Sequence, residues 1–138
     1  MGSLTGLMAP RAGHVVTVEI DADLARLAQL ELATFGNITF LQQDALRNKN
    51  NIHDHVKETV LERLQHIETG RFKLVANLPY NIATPLISNL LHWDRMPDMM
   101  VVTIQKELAE RIMAVPSTKD YSALSIWIQS LAEVELIR

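Results

Sequence analysis

Short β-branched runs alternate with longer stretches of helical periodicity along this chain, and that alternation limits its folds more than any other feature. Residues 14–20, with Val15-Val16-Thr17-Val18 at their centre, read as a buried strand, and residues 38–41, 72–76 and 99–104 are further apolar runs of strand length. A chain that returns to a strand after each helix builds parallel strands joined by crossover helices, which is a doubly wound α/β sheet. In such sheets ligands sit beyond the carboxyl ends of the strands.

The helices are bounded by their own signals. Residues 1–11 give a short helix, Ser3-Leu4-Thr5-Gly6-Leu7-Met8, that stops at Ala9-Pro10. Asp21 caps a helix over residues 22–35, where Leu24, Leu27, Leu30 or Leu32, and Phe35 recur at helical spacing before Gly36-Asn37 closes it. Residues 47–51 form a polar loop. Residues 52–67 form an amphipathic helix with Val56, Val60, Leu64 and Ile67 on one face, ended by Thr69-Gly70. Thr84-Pro85 is expected to start the next helix, because proline suits a first turn, and Leu86, Ile87, Leu90 and Leu91 give it an apolar face. Helices over 105–115 and 121–130 follow, with a polar loop at 116–120 and a last strand at 132–137.

The run at 72–76 stops at Asn77-Leu78-Pro79-Tyr80. This places a side-chain amide, a rigid bend and an aromatic face together at the carboxyl end of a strand. The Asn77 oxygen and a backbone carbonyl of the Leu78-Pro79 bend can accept hydrogen bonds from an exocyclic amine. Pro79 brings no N–H and a fixed φ. Tyr80 can stack on an unstacked base, an interaction worth about 1–3 kcal/mol per base. The same four residues also read as a plain strand-to-helix turn with an Asn cap and a packed Tyr.

Two acids close other runs. Glu19 stands where a strand-tip carboxylate of a nucleotide-binding α/β unit accepts ribose hydroxyl bonds, and from the residues alone it reads as a solvated strand end. Asp44 follows a short strand, where an Asp commonly caps a turn. His53 and His55 suggest a metal pair, but residues two apart on a helix face different ways, so no metal site is expected.

The 138 residues bound the chain to one domain with a sizeable core. It has no cysteine, which excludes disulfides and thiolate metal sites and fits a reducing cytoplasm. No apolar run approaches the ~20 residues that span a bilayer, so no membrane partner and a cytoplasmic setting are expected. The net charge of −3 opposes strong phosphate binding by the chain as a whole. A local basic surface around Arg47, Lys49, Lys106, Arg111 and Lys119 remains open.

The motif Asn77-Leu78-Pro79-Tyr80-Asn81-Ile82-Ala83-Thr84-Pro85-Leu86, followed by Gln105-Lys106-Glu107 and Tyr121-Ser122-Ala123-Leu124-Ser125, closely resembles the KsgA-type ribosomal RNA adenine dimethyltransferases. The resemblance implies a class I S-adenosylmethionine-dependent methyltransferase (Rossmann-like) α/β sheet with helices on both faces. It implies dimethylation of two adjacent adenines in small-subunit rRNA, with S-adenosylmethionine as cofactor and the pre-ribosomal small subunit as partner. Asn77, Leu78, Pro79 and Tyr80 match the family's catalytic motif. Glu19 with Ile20 matches its ribose-binding tip, Asp44 with Ala45 its adenine-binding turn, and Gly2 with Leu4 the end of its glycine-rich loop; Asn77 also borders the cofactor. Ser122 stands where many relatives have glycine.

The resemblance also implies an incomplete enzyme. The chain is expected to lack the central first strand and glycine-rich loop, and a C-terminal helical domain, so that residues 1–138 form a partial catalytic domain with weak or no isolated activity. Open strand edges would then invite self-association. An erythromycin-resistance-type large-subunit methyltransferase is the alternative enzyme, and a catalytically silent RNA-binding or assembly module the alternative of another class.

Overall fold

The computed structural model describes residues 2–68 and 70–137. The chain divides into two compact units, Met1–Phe72 and Lys73–Arg138. Each contains a parallel strand pair whose strands are joined through a helix.

In the first unit, α1 (Ser3–Met8) runs into a 3-10 turn, Ala9–Arg11, that accommodates Pro10. Met1, expected in this helix, lies outside the described residues. Next come β1 (Val15–Glu19), α2 (Ala22–Glu31) and β2 (Ile38–Gln42), with Val15 opposite Ile38 and Glu19 opposite Gln42. Asp21 caps α2 as its sequence position implied: Oδ1 accepts from the N–H groups of Asp23 and Leu24, each at 2.9 Å, so two of the helix's orphan donors are satisfied.

α2 ends at Glu31, four residues short of the expected Phe35. Buried Leu32 closes it, Phe35 N–H turns back onto the Leu32 carbonyl at 3.0 Å, and Asn37 Nδ2 donates to the Ala9 and Ala12 carbonyls at 2.8 and 2.9 Å. The helical spacing of Phe35 thus reflects its partial burial in a turn. Gly36 is no left-handed cap either: among the described glycines only Gly2 and Gly70 have positive φ.

Residues 47–51, expected as a loop, belong to a small antiparallel hairpin, β3 (Leu46–Asn48) with β4 (Asn51–Ile52). Asn48 Oδ1 closes it by accepting from Asn50 N–H at 2.9 Å and Asn51 Nδ2 at 3.1 Å, a side chain imitating a backbone turn. α3 (Asp54–Gln65) is accordingly shorter than the expected 52–67, since Ile52 is spent in β4. Ile67, beyond the helix, lies against Gly13, where an added Cβ would come within 3.4 Å of its Cδ1. Gly70, at φ 52°, donates to the Ile67 carbonyl; Thr69 lies outside the described residues.

In the second unit, β5 (Lys73–Asn77), α4 (Tyr80–His92) and β6 (Met99–Thr103) precede α5 (Lys106–Met113) and α6 (Ala123–Leu131). Ala83, Leu86, Ile87, Leu90 and Leu91 are all buried on α4, an i, i+3, i+4, i+7, i+8 stripe. The helix begins at Tyr80 and carries Pro85 in its interior, which corrects the start expected at Thr84-Pro85. An interior proline costs about 3 kcal/mol, and the four large buried side chains lie beyond Pro85, where either start would bury them. The earlier turn is held by the Pro79 carbonyl, which accepts from the N–H groups of Ile82 and Ala83 at 3.1 Å, and by the fully buried Ala83.

α6 starts with a capping box. Ser125 Oγ accepts from Ser122 N–H at 3.1 Å and donates to the Arg111 carbonyl at 2.6 Å. Gln129 Nε2 donates to the Ile112 and Ala114 carbonyls at 2.7 and 3.0 Å. α6 thereby satisfies carbonyls at the C-terminal end of α5. Residues 132–137 do not form the expected strand: Ala132 is extended, at φ −146° and ψ 145°, but no ladder includes the segment, and Leu136 and Ile137 are exposed. Alternating side chains favour an extended backbone, yet a strand also needs a neighbouring edge.

The expected α/β class and parallel pairing hold. The described strands are shared among separate two-stranded sheets, β1 with β2, β5 with β6, and the β3–β4 hairpin. Among the described residues no helix is long and apolar enough to cross a membrane.

Candidate active site

β5 delivers Asn77 to its carboxyl end, opposite Thr103 on β6. Leu78 N–H donates to the Thr103 carbonyl at 3.0 Å, carrying the pairing one residue past the strand, and the Leu78 side chain is buried. These two anchors fix the bend. Pro79, at φ −56°, is the N-cap of α4, and its carbonyl accepts from the N–H groups of Ile82 and Ala83 at 3.1 Å. With that carbonyl engaged by the helix, the Leu78 carbonyl is, among the described residues, the acceptor left in the bend.

The turn reading of the motif fails on two counts. Asn77 is not the cap of α4, and among the described residues its carboxamide makes no hydrogen bond to the protein. Tyr80 does not pack; it is 71% exposed on the first turn of α4. All four motif residues line a pocket of about 370 Å³ together with Thr103, Ile104 and Gln105. That volume lies at the lower end of the ~300–1,000 Å³ typical of small-ligand sites. The contribution of Thr103 and Ile104 was not read from the sequence. Its only signal was that they close the next strand run, and that matters only once the register sets Thr103 beside Asn77.

The first unit gathers a second set of candidate residues at the carboxyl ends of its strands. Glu19 Oε1 accepts from Asp21 N–H and Asp44 Oδ1 from Leu46 N–H, both at 2.9 Å. Each carboxylate keeps its other oxygen unengaged among the described residues. Gln43 N–H donates to the Glu19 carbonyl at 3.0 Å, which holds the Asp44 turn beside Glu19. Ile20 is exposed, while Ala45 is half-buried and accepts from His53 N–H at 3.0 Å.

Gly2 is not gathered with them. Gly2 is the N-cap of α1 at φ 75°, and an added Cβ would lie 2.9 Å from Leu32 Cδ1 and 3.5 Å from Ala28 Cβ. Ala28 stands seven residues beyond the Asp21 cap, roughly 10 Å along the axis of α2. Leu4 is partly exposed on α1.

His53 is the N-cap of α3, and His55 Nδ1 shares a 2.8 Å hydrogen bond with Gln43 Oε1. Among the described residues no group of three His, Cys, Asp or Glu side chains could hold a metal ion. Lys106 pairs with Glu110 at 3.6 Å, and Tyr121 is half-buried where α6 begins.

A family model for ribosomal RNA adenine dimethylase matches residues 1–138. The chain belongs to the ribosomal RNA adenine dimethylase family. It is 41% identical to the ribosomal RNA small subunit methyltransferase A of Pediococcus pentosaceus, over 94% of this chain and 41% of that protein. It is 43% identical to the protein of the same name from a Geobacillus species, over 99% of this chain and 44% of that protein. Among solved structures, a dimethyladenosine transferase from Plasmodium falciparum superposes with a TM-score of 0.72 at 25% identity, covering 93% of this chain and 41% of that one. The fold is therefore that of a class I methyltransferase, and the family is one of methyl-transferring enzymes. The chain spans less than half the length of these relatives.

Proposed function

We propose that this chain takes part in S-adenosylmethionine-dependent dimethylation of the N6 amines of two adjacent adenines in small-subunit rRNA, in the cytoplasm. The observation that carries this reading is the Asn77 pocket: two unengaged acceptors, Asn77 Oδ1 and the Leu78 carbonyl, beside an exposed Tyr80 ring. Two acceptors hold both hydrogens of an exocyclic amine and leave its lone pair available to an electrophile. Tyr80 stacks on the base, and the open pocket suits an adenine presented outside a duplex.

The acids of the first unit fit the cofactor's polar groups. Glu19 holds its ribose hydroxyls and Asp44 its adenine amine, each through the oxygen not spent on the local turn. When bound, S-adenosylmethionine supplies an electrophilic methyl whose sulfur leaves as a neutral thioether. The residues therefore contribute positioning and electrostatics more than proton transfer.

Calorimetric titration with S-adenosylmethionine tests the cofactor half, with Glu19→Ala expected to weaken binding about tenfold or more through loss of charged hydrogen bonds. Unchanged affinity in the variant removes Glu19 from the site. Methyl transfer to small-subunit precursors tests the other half: Asn77→Ala is expected to lower incorporation roughly a hundredfold, and full activity in that variant would overturn the role given to Asn77.

A further inference from the structure

We propose that Gln105 is a second base-reading residue of the Asn77 pocket, donating from its carboxamide to a ring nitrogen that flanks the exocyclic amine. The inference rests on the reading of that pocket as an adenine site.

Gln105 lines the same pocket from the neighbouring strand end. Thr103 is the register partner of Asn77, so Gln105 stands two residues past the end of a strand that runs about 4.8 Å from β5. It is the N-cap of α5, and it fills that role with its main chain alone: its carbonyl accepts from Ala109 N–H at 3.0 Å while its side chain makes no capping bond. Among the described residues the Gln105 carboxamide has no hydrogen-bond partner. Two uncommitted carboxamides, Asn77 and Gln105, thus border one pocket, each with a carbonyl acceptor and an NH₂ donor.

The chemistry of the bases gives the second amide something to do. Asn77 Oδ1 and the Leu78 carbonyl are both acceptors, and they recognise an exocyclic amine without regard to the ring that bears it. Adenine, guanine and cytosine all carry one. Adenine has a ring nitrogen acceptor on each side of its amine, N1 and N7; guanine and cytosine have one, N3, with N1–H on the other side in guanine and C5–H in cytosine. A donor from Gln105 beside the amine is therefore met by adenine with either ring edge towards it, and by guanine or cytosine only with N3 towards it. If the side chain served only α5, its removal would change stability and leave base preference alone.

The test is fluorescence anisotropy of the 138-residue chain with labelled single-stranded RNAs that carry, at one position, adenine, 1-deazaadenine, 7-deazaadenine or an abasic site. The chain is expected to bind adenine more tightly than the abasic strand, and roughly fivefold more tightly than one of the two deaza strands, the effect of one net hydrogen bond. Gln105→Ala is expected to bind adenine and both deaza strands alike, still above the abasic strand. Gln105→Glu keeps the shape without the donor and is expected to lose the same discrimination, which provides a second variant if the first does not fold. Wild-type discrimination retained in both variants, or no deaza penalty in the wild type, overturns the role of Gln105 while the base site stands. Equal binding of adenine and abasic strands by the wild type overturns the base site and the inference together.

Discussion

The two units are built on the same plan and hold their candidate residues in place by different means. In each, a strand, a helix and a parallel strand set polar side chains at the strand ends. In the first unit the acids are aimed by bonds that reach two residues along the chain, Glu19 to Asp21 N–H and Asp44 to Leu46 N–H. In the second unit the pocket exists because residues 26 apart in sequence pair, Asn77 with Thr103, and because Leu78 is locked to the same Thr103. One site is set by turns and the other by register. Their cores differ in the same sense: α4 alone contributes five buried residues to the second unit, while among the described residues the three α-helices of the first contribute Thr5, Ala25 and Thr59 within their spans.

The contrast can be broken most forcefully at α4. Leu90→Ala removes a side chain that is 5% exposed from the buried stripe, and it is expected to cost about 2–5 kcal/mol in urea unfolding. A cost below about 1 kcal/mol would mean that the second unit does not depend on that stripe. Asp21→Ala sharpens the other side. Loss of its two 2.9 Å caps is expected to cost ~1 kcal/mol and, by loosening the residue whose backbone N–H holds Glu19 Oε1, to weaken S-adenosylmethionine binding as well. Asp21→Asn should restore most of the stability.

The smallest expected effect is one of pH. Burial, and then the positive charge of Arg63, hold His14 below its ordinary value of 6.5, and His14 Nε2 shares a 2.8 Å hydrogen bond with Thr39 Oγ1. The folded state takes up this proton less readily than the unfolded chain. The contribution of His14 is therefore full above pH 6.5 and is lost as pH falls from there toward the lower folded value. His14→Gln is expected to flatten that fall in a series of unfolding curves. Equal slopes in both proteins would show that His14 is not responsible.

The same division explains what the sequence revealed. The cap at Asp21, the strands that contain Val15-Val16-Thr17-Val18 and residues 99–103, and the motif at Asn77 were legible because neighbouring residues determine them. The start of α4 was not. Thr84-Pro85 is a local helix-start signal, and the helix runs back past it to Tyr80 in a turn closed on the Pro79 carbonyl and packed through Ala83. Residues 132–137 failed for the opposite reason, since their alternation fits a strand but supplies no partner. The pocket walls at Thr103 and Ile104 were invisible because a register is a relation between two segments.

Pro85 has a further consequence, for the rate at which parts of α4 exchange their amide protons. It carries no N–H, so the Asn81 carbonyl has no donor one helical turn ahead, and the turn that bears Tyr80 is tied to the rest of the helix by one bond fewer than any other. Below this break, Leu86, Ile87, Leu90 and Leu91 lie on the buried stripe; above it Ala83 does, while Tyr80 and Asn81 are exposed. Opening of the first turn exposes one small buried side chain, Ala83, and breaks one fewer bond, while opening of the last turns exposes four large ones. Protection from exchange should therefore rise in a step across Pro85, with Tyr80 carried on the part of the helix that opens most readily.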